Sequence, residues 1–233
     1  MIPHNVDSLH SGWVFSVDKP LGWTSFDVVA KLRNTIRIRY GVKVKIGHAG
    51  TLDPLASGVL VICAGKATKT INDWVETPKK YRATLSFGAT TESYDSETKI
   101  NSTGIPVPLF TKEISTLIES SFLGTISQVP PIYSAVKVNG KRAYKHARNG
   151  ILVEMPERKV TIHSLEWIST IGNSWEVEVS CSKGTYIRSL ANDIGQFLGC
   201  GAYLSSLIRT AVGSHLLADS KSLDEWITLL GGD

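Results

Sequence analysis

The alternation of apolar and polar positions predicts β-strands in three parts of the chain. In YRATLSF (81–87), Tyr81, Ala83, Leu85 and Phe87 share one face of a strand, opposite polar neighbours. KVTIHSLEW (159–167) and WEVEVSC (175–181) alternate in the same way. The apolar run GVLVICAG (58–65) is typical of a buried strand or of a segment of buried helix, and periodicity does not choose between them.

Helical spacing predicts a helix over residues 24–37, where Phe26, Val29, Ala30 and Ile36 recur on one face. Thr24 can cap its first turn, and an acid three residues later completes the pattern of a capping box. Three further helices are predicted over residues 111–122, over about 187–198, and after a Ser222–Glu225 capping box.

The order of these elements indicates an α+β fold. Strands and helices are mixed without the regular strand–helix–strand repeat of a parallel sheet, so we expect a mixed, mostly antiparallel sheet flanked by helices. Residues 88–108 are polar, contain Gly and Pro, and predict a loop. Residues 128–150 contain two prolines, two glycines and many basic residues, and are interpreted as an excursion from the core.

Length and composition limit the class of protein. The chain has 233 residues, enough for one large domain or two small ones, and is 42% hydrophobic, enough for a sizeable core. No apolar run reaches the roughly 20 residues that span a membrane, and MIPHNVDSLHSGWVF does not follow the pattern of a signal peptide. Three scattered cysteines indicate neither a disulfide framework nor a zinc site, so a cytoplasmic protein is expected.

Positive charge is concentrated in two stretches. The net charge is +4, and the stretches 31–45 and 137–148 are rich in basic residues and contain no acid. Each stretch can be a solvated face. The second contains Tyr144 and follows shortly after Tyr133, however, and basic groups with aromatic faces are typical of nucleic-acid binding.

Several common catalytic motifs are absent. GVLVICAGKAT lacks the first glycine of a phosphate-binding loop, and the residue after its lysine is Ala67. The segment around Ser57 lacks the G-x-S-x-G pattern of a nucleophile elbow. The six histidines show no metal-ligand spacing, so no metal is expected.

The stretch GHAGTLDPLASGVL (47–60) offers one carboxylate, Asp53, in a glycine-rich context. Asp53 can simply cap a helical turn opened by Pro54, or it can be a functional acid in a loop whose glycines let another chain approach closely. A functional acid needs a cation to remain ionised, because desolvation raises the pKa of a lone carboxyl group. Arg188, at a strand-to-helix junction, is a candidate, although an exposed surface arginine is the ordinary alternative. Tyr81 can equally be a core tyrosine.

Several longer motifs resemble one known family. They are DKPLGWTS (18–25), KIGHAGTLDPLASGVL (45–60), KKYRATLSFG (79–88), PPIYSAVKVNGKRAYKHAR (130–148), CSKGTYIRSLANDIG (181–195) and LSSLIRTAVG (204–213). Together they resemble the TruB family of pseudouridine synthases, in particular its bacterial members that act on uridine 55 of tRNA.

The resemblance implies the pseudouridine synthase fold and an enzyme that isomerises uridine to pseudouridine in the T loop of tRNA, without cofactor or metal. It implies that Asp53 is the catalytic carboxylate, that Arg188 is its ion-pair partner, and that Tyr81 stacks on the flipped base. It also implies a set of substrate-binding residues, namely His48, Lys19, Asp95, Tyr186, Leu207, Lys141, Arg142 and Arg148. Among these, Lys19, Tyr186 and Leu207 line the base pocket, and Asp95 lies near the flipped-out nucleotides.

By the same resemblance, residues 1–213 form the catalytic domain, residues about 128–150 form its mobile RNA-gripping insertion, and residues 214–233 form a short helical tail without the PUA-type domain that many members carry. We expect a monomer that binds the T arm and T loop of tRNA, needs no protein partner and does not associate with a membrane. Two departures from the family pattern stand out. Ser93 and Thr98 replace usual residues around Asp95, and Ile208 stands where an arginine is common.

The implied reaction explains a single acid. The enzyme cuts the C1′–N1 bond, turns the uracil and rejoins it through C5, so no water is activated and the second carboxylate of a glycosidase is unnecessary. Asp53 can add to uracil C6, attack C1′ or remove a C2′ proton, and the sequence leaves these routes open. Each requires an ionised carboxylate and a base outside its stack.

Two other functions compete with this one. The protein can be a tRNA chaperone that grips and refolds the T arm, or a relative of the archaeal and eukaryotic synthases that use a separate guide RNA within a larger complex. Intact Asp53, Tyr81 and Arg188 argue against binding alone. The missing PUA-type domain argues against the guided complex.

Overall fold

The computed structural model describes residues 6–231 of the chain. The first five residues, which belong to the segment tested for a signal peptide, lie outside the described residues. Within residues 6–231, no helix combines the length and the apolar character needed to cross a membrane.

Seven α-helices and fourteen strands are assigned within residues 6–231. The helices are α1 (Val6–Ser11), α2 (Ser25–Tyr40), α3 (Ile71–Glu76), α4 (Lys112–Phe122), α5 (Ala143–Ala147), α6 (Ile187–Phe197) and α7 (Leu223–Gly231). The strands are β1 (Trp13–Lys19), β2 (Ile46–His48), β3 (Ala56–Ala64), β4 (Lys79–Phe87), β5 (Ala89–Thr90), β6 (Asn101–Ser102), β7 (Gly124–Gln128), β8 (Lys137–Val138), β9 (Lys141–Arg142), β10 (Arg158–Ile171), β11 (Ser174–Cys181), β12 (Ala202–Val212), β13 (His215–Leu216) and β14 (Lys221–Ser222).

The fold is α+β with a mostly antiparallel sheet flanked by helices, which confirms the predicted class. Internal contacts divide the chain into two compact units, one within residues 1–81 and 207–233 and the other within residues 82–206. In the first unit the strand order is β14-β1-β3-β12, with β2 on β3 and β13 on β12. The β1–β3 pair is antiparallel, whereas β3–β12 and β1–β14 are parallel.

Strand β3 explains the apolar run that periodicity left undecided. Leu60, Ile62 and Ala64 belong to one hydrophobic cluster, and Val59 and Val61 belong to another. Both faces of β3 are therefore buried, and a strand buried on both faces has no polar positions to alternate with.

Helix α2 begins as predicted but presents a different face. The Thr24 Oγ1 accepts a hydrogen bond from the Asp27 backbone N–H (3.0 Å), and the Asp27 carboxylate accepts one from the Thr24 N–H (3.0 Å), which completes the capping box. Val29 and Ile36 are buried against the core, but Phe26 is 67% exposed. The expectation that Phe26 lies on the buried face is wrong, because α2 buries Ser25 in its first turn instead.

Strands β3 and β12 approach unusually closely at Gly58. Gly58 pairs with Arg209, and a Cβ at Gly58 would lie 2.3 Å from the Arg209 carbonyl oxygen. Its φ of +100° is also a conformation that side chains other than glycine rarely adopt. At this glycine, the backbone that approaches closely is therefore β12 of the same chain.

The second unit has the strand order β12-β4-β11-β10-β7. The predicted faces of β4 and β11 are confirmed, since the alternating residues from Tyr81 to Phe87 and from Trp175 to Cys181 are buried. Trp175 is at the centre of an aromatic cluster with Phe87, Phe110 and Trp167.

The remaining predicted helices are present. Helix α4 begins after the Thr111 cap, α6 ends before Gly199, whose φ is +75°, and α7 begins after the Ser222–Glu225 capping box. Residues 88–108 are largely loop, as predicted, with β5 and β6 as a short antiparallel pair.

Candidate active site

The predicted site residues fall into two groups, one in each unit. The first group surrounds Asp53, which lies in the loop between β2 and β3 and is partly buried. Pro54 opens a turn in which the Ala56 N–H donates to the Asp53 carbonyl (3.0 Å), and β3 begins at Ala56. The alternative that Asp53 caps a helical turn is therefore wrong, because a strand follows the turn.

Hydrogen bonds hold the loop on both sides of Asp53. The Ser25 hydroxyl, buried in the first turn of α2, accepts from the Leu52 N–H (2.8 Å) and donates to the Leu52 carbonyl (3.1 Å). The Gly22 N–H donates to the Pro54 carbonyl (2.8 Å). The residues before and after Asp53 are thus both tied to the segment that leads into α2.

Arg209 holds the same loop from the side of β12. Its side chain is 1% exposed, and its guanidinium donates to the carbonyls of Val59 (2.7 Å), Gly50 (3.1 Å) and Thr51 (3.4 Å). A guanidinium offers five donors in a rigid plane, which suits it to joining several carbonyls. The buried charge of Arg209 is tolerated because these carbonyl oxygens take the place of water around it.

Sequence reasoning missed Arg209. The motif LSSLIRTAVG drew attention to its neighbour Ile208 as a departure from the family, whereas the structural role belongs to Arg209. The available signal was its place two residues from Leu207, because alternate residues of a strand share a face.

Lys19, predicted to line the base pocket, is fully buried at the end of β1. Its Nζ donates to the carbonyls of Trp23 (2.6 Å) and Pro20 (2.9 Å). Burial lowers the pKa of Lys19 to about 8, the charge of Asp53 opposes that shift, and the charge of Arg209 adds to it. Lys19 and Asp53 are therefore electrostatic neighbours.

Three further predicted residues of the first unit lie on strands. His48 ends β2 opposite Ile62, and burial, together with the charge of Arg209, lowers its pKa, which favours the neutral imidazole. Leu207 pairs with Ala56, three residues after Asp53. Tyr81 lies on the buried face of β4 and is 9% exposed.

In the second unit, Arg188 is buried rather than exposed, so the alternative of a surface arginine is wrong. It follows Tyr186, the N-cap of α6, by two residues. Its guanidinium lies 3.4 Å from the Asp95 carboxylate and donates to the carbonyls of Tyr133 (3.0 Å) and Ser93 (3.1 Å). The ion pair with Asp53 stays a prediction.

Asp95, predicted to lie near the flipped-out nucleotides, is 4% exposed. Its carboxylate accepts hydrogen bonds from the Ser93 hydroxyl (2.6 Å) and the Glu97 N–H (2.9 Å). The Thr98 hydroxyl lies 2.9 Å from that of Ser93. Of the two residues that depart from the family pattern, Ser93 thus bonds the Asp95 carboxylate directly, and Thr98 bonds Ser93.

Tyr186 is fixed through its backbone. The Gln128 side chain accepts from the Tyr186 N–H (2.8 Å) and donates to the Tyr186 carbonyl (3.1 Å). The Arg158 guanidinium lies over the Tyr186 ring at 5.3 Å from its centre. Gln128, which is 1% exposed, was not predicted as a site residue because no local pattern distinguishes it.

Comparisons with known proteins identify the family. Residues 37–187 match the model of the TruB family pseudouridylate synthase (N terminal domain). The chain belongs to the TruB family of pseudouridylate synthases. It is 49% identical over 220 residues to the tRNA pseudouridine synthase B of Phocaeicola vulgatus, covering 93% of both chains. It is 48% identical over 212 residues to the protein of the same name from Clostridium kluyveri, covering 91% of this chain and 71% of the relative.

Solved structures show the same fold. The synthase aligns with a chain of a Cbf5–Nop10–Gar1 complex at a TM-score of 0.66 and 29% identity, covering 89% of this chain and 51% of the other. It aligns with a chain of an archaeal box H/ACA sRNP Nop10–Cbf5 complex at a TM-score of 0.66 and 25% identity, covering 94% and 53%. The synthase thus spans about half the length of these chains.

The basic segment 128–150 of the synthase forms a hairpin followed by a short helix. Strands β8 and β9 are joined by Asn139 and Gly140, which both have positive φ (51° and 77°), as a two-residue type I′ turn requires. Lys141, Arg142 and Arg148 are exposed, and the Arg148 guanidinium lies 5.4 Å from the centre of the Tyr144 ring. The predicted basic residues therefore present their charge to solvent.

The lowered pKa of Lys19 predicts how stability depends on pH. An unfolded lysine keeps its proton up to about pH 10.5, whereas folded Lys19 releases it at about 8. Between these values the unfolded state binds more protons, so the contribution of Lys19 to the free energy of unfolding rises with pH. The free energy of unfolding of wild type minus that of Lys19→Met, both measured by urea denaturation, should therefore rise between pH 8 and 10. Lys31→Met, which removes an exposed lysine of α2, is the control, and a Lys19→Met difference that does not change with pH would contradict the prediction.

Proposed function

We propose that this synthase converts uridine 55 in the T loop of tRNA into pseudouridine, with Asp53 as its single catalytic carboxylate. Its relatives at 45–49% identity, which are named tRNA pseudouridine synthase B, support tRNA as the substrate. The observation that carries the proposal is the tethered loop, in which a partly buried carboxylate is held on both sides by hydrogen bonds and has a buried cation as its neighbour.

The reaction uses one acid because no water takes part. The C1′–N1 bond breaks, the uracil rotates, and a bond forms between C1′ and C5. The proton on C5 leaves to solvent and N1 gains a proton, so the product is an isomer of the substrate. Asp53 acts by adding to C6, by attacking C1′ or by removing the C2′ proton, and each route begins with an ionised carboxylate.

The other residues bind and orient the nucleotide. Tyr81 stacks on the flipped base, Arg188 pairs with Asp53, and Asp95 supports Arg188 through the ion pair described above. Lys19, Tyr186 and Leu207 line the base pocket, and His48, at the end of β2, contacts the tRNA. Because base flipping costs a few kcal/mol of lost stacking, these contacts must replace what the base gives up.

The basic segment 128–150 grips the tRNA, with Lys141, Arg142 and Arg148 on phosphates. In this proposal residues 1–213 are the catalytic part and residues 214–233 the tail. The enzyme acts as a cytoplasmic monomer without a protein partner, metal or cofactor.

The role of Asp53 is tested by tritium release from a tRNA transcript labelled at uracil C5. Asp53→Asn should lower release by roughly 10³-fold or more, because the amide can neither attack nor accept a proton. Binding of the same transcript should stay close to wild type. Asp219→Asn, which changes an exposed aspartate of the same unit, is the control and should leave release unchanged.

Three results would contradict this assignment. Equal loss of binding and release in Asp53→Asn would indicate a structural role. Pseudouridine mapped to a position other than 55 would show that the enzyme modifies a different uridine. Tight binding by wild type without release would favour the chaperone function or a missing guide RNA, which reactions with and without added candidate guide RNAs distinguish.

The role of the basic segment is tested by the salt dependence of binding. Neutralising Lys141, Arg142, Lys145 and Arg148 together should weaken tRNA binding and reduce the slope of log K against log salt by up to about 3, because each phosphate contact releases counterions. A control that neutralises the exposed Lys66, Lys69, Lys99 and Lys112 carries the same change in net charge. Equal slopes for the two variants would show that the segment makes no specific phosphate contacts.

A further inference from the structure

Four large apolar side chains around the Asp53 loop are exposed. Leu21 is 66% exposed, Trp23 37%, Phe26 67% and Leu55 38%. We propose that these four residues form an apolar rim whose two aromatic rings, Trp23 and Phe26, stack on the unpaired bases next to the target uridine when the RNA is bound. This inference rests on the proposed function and adds a second surface for the same substrate.

Backbone hydrogen bonds bring the four residues to one place. Leu21 and Trp23 flank Gly22, whose N–H donates to the carbonyl of Pro54, and Leu55 follows Pro54. Phe26 follows Ser25, whose hydroxyl bonds Leu52. Every member of the apolar rim is therefore one residue away from a hydrogen bond that joins the two segments.

These hydrogen bonds also place the rim around the catalytic acid. Asp53 lies between Leu52 and Pro54, the two loop residues that take part in these hydrogen bonds. The apolar rim therefore lies on the two segments that flank Asp53 rather than on an unrelated surface.

The turn that presents the rim is held from within. The buried Lys19 Nζ donates to the carbonyls of Pro20 and Trp23, on either side of the exposed pair Leu21 and Gly22. Gly22 has a φ of +82°, which a residue with a side chain rarely adopts. The turn therefore has a defined shape. The exposure of its apolar side chains is a fixed feature of the structure and does not result from a loose loop.

The core does not need these side chains. Helix α2 buries Val28, Val29, Leu32 and Ile36, while Phe26 points away from that face. Clusters of exposed apolar side chains are uncommon on soluble proteins and mark binding surfaces. The apolar rim is thus a candidate binding surface, and its side chains are not part of the hydrophobic core.

The chemistry at this place favours RNA bases as the partner. When one nucleotide leaves its stack, the bases on either side lose a stacking face. Aromatic rings replace such faces without regard to sequence, as in proteins that bind single strands. The one acid within the turn and first helical turn, Asp27, is engaged by the Thr24 N–H and hydroxyl in the capping box. A stack of bases can therefore lie on Trp23 and Phe26.

The test compares ring removal with ring replacement. Phe26→Ala and Trp23→Ala should each weaken binding of an unmodified T-arm hairpin by about 10-fold, the range found when a stacking ring is lost. KM in the tritium-release assay should rise by the same factor. With saturating RNA, kcat should stay within about 2-fold of wild type, because the lost contact binds the RNA but does not act on the reacting atoms. Trp23→Phe and Phe26→Tyr should keep wild-type affinity, whereas Phe26→Leu should not.

Ile38→Ala is the matched control. Ile38 is 75% exposed and lies on the same helix, about 18 Å along its axis from Phe26. Its removal should leave hairpin affinity unchanged, and Phe26→Ala and Ile38→Ala should keep the thermal stability of wild type, since both side chains are largely exposed. The salt slope of binding should also be unchanged in the ring variants, because no phosphate contact is lost.

Several outcomes would overturn the proposal. Equal affinities of wild type, Phe26→Ala and Trp23→Ala for the hairpin would show that the rim does not touch RNA. Wild-type affinity of Phe26→Leu for the hairpin would show that apolar cover suffices and that no base stacks there. A wild-type dimer in sedimentation that Phe26→Ala dissociates would make the rim an interface between copies of this chain. Because the binding assay does not depend on turnover, failure of the catalytic proposal would leave wild-type release absent while the affinity differences remain measurable.

Discussion

The buried guanidinium of Arg209 is the contact on which the geometry around Asp53 depends. It joins the carbonyls of Gly50 and Thr51, before the acid, to that of Val59, after it. Burying a charge is costly unless its hydrogen-bonding groups are satisfied. Here the cost is offset because the same bonds satisfy the carbonyls of Gly50 and Thr51 in the loop and that of Val59 in β3. The contact at Gly58 follows from this arrangement, since β12 must lie against β3 for Arg209 to reach the loop.

A second consequence is electrostatic. Arg209 and Lys19 place two buried cations in the surroundings of one carboxylate, and the pKa of Lys19 responds to both Arg209 and Asp53. The proposed isomerisation requires that carboxylate to be ionised whichever route it takes. The second unit contains a similar buried cation, because Arg188 is also buried, bonded to backbone carbonyls and paired with the carboxylate of Asp95. In both places the cation is fixed by the backbone, so its position does not depend on a flexible partner.

Local patterns predicted much of the fold. The capping box of α2, the alternation of β4 and β11, and the glycine after α6 depend on residues close in sequence, and each is present in the structure. Helical spacing did not predict that Phe26 is exposed, because an apolar residue in a first turn can face either way when Ser25 takes the buried position. The turn after Asp53 was undecided because aspartate before proline is compatible with a helix and with a strand. The bonds made by Arg209 and by Arg188 span large separations along the chain, and no local pattern encodes them.

Hydrogen exchange at the Asp53 loop tests the role of Arg209 most directly. The amides of Leu52 and Ala56 are the probes, since they donate to Ser25 and to the Asp53 carbonyl. If Arg209 fixes the loop, Arg209→Met should speed exchange at both amides by at least about 10-fold, the effect of losing about 1.4 kcal/mol of local stability, while the amides in the middle of α2 keep their protection. Unchanged exchange at Leu52 and Ala56 in a folded Arg209→Met protein would contradict the conclusion that this guanidinium positions the acid.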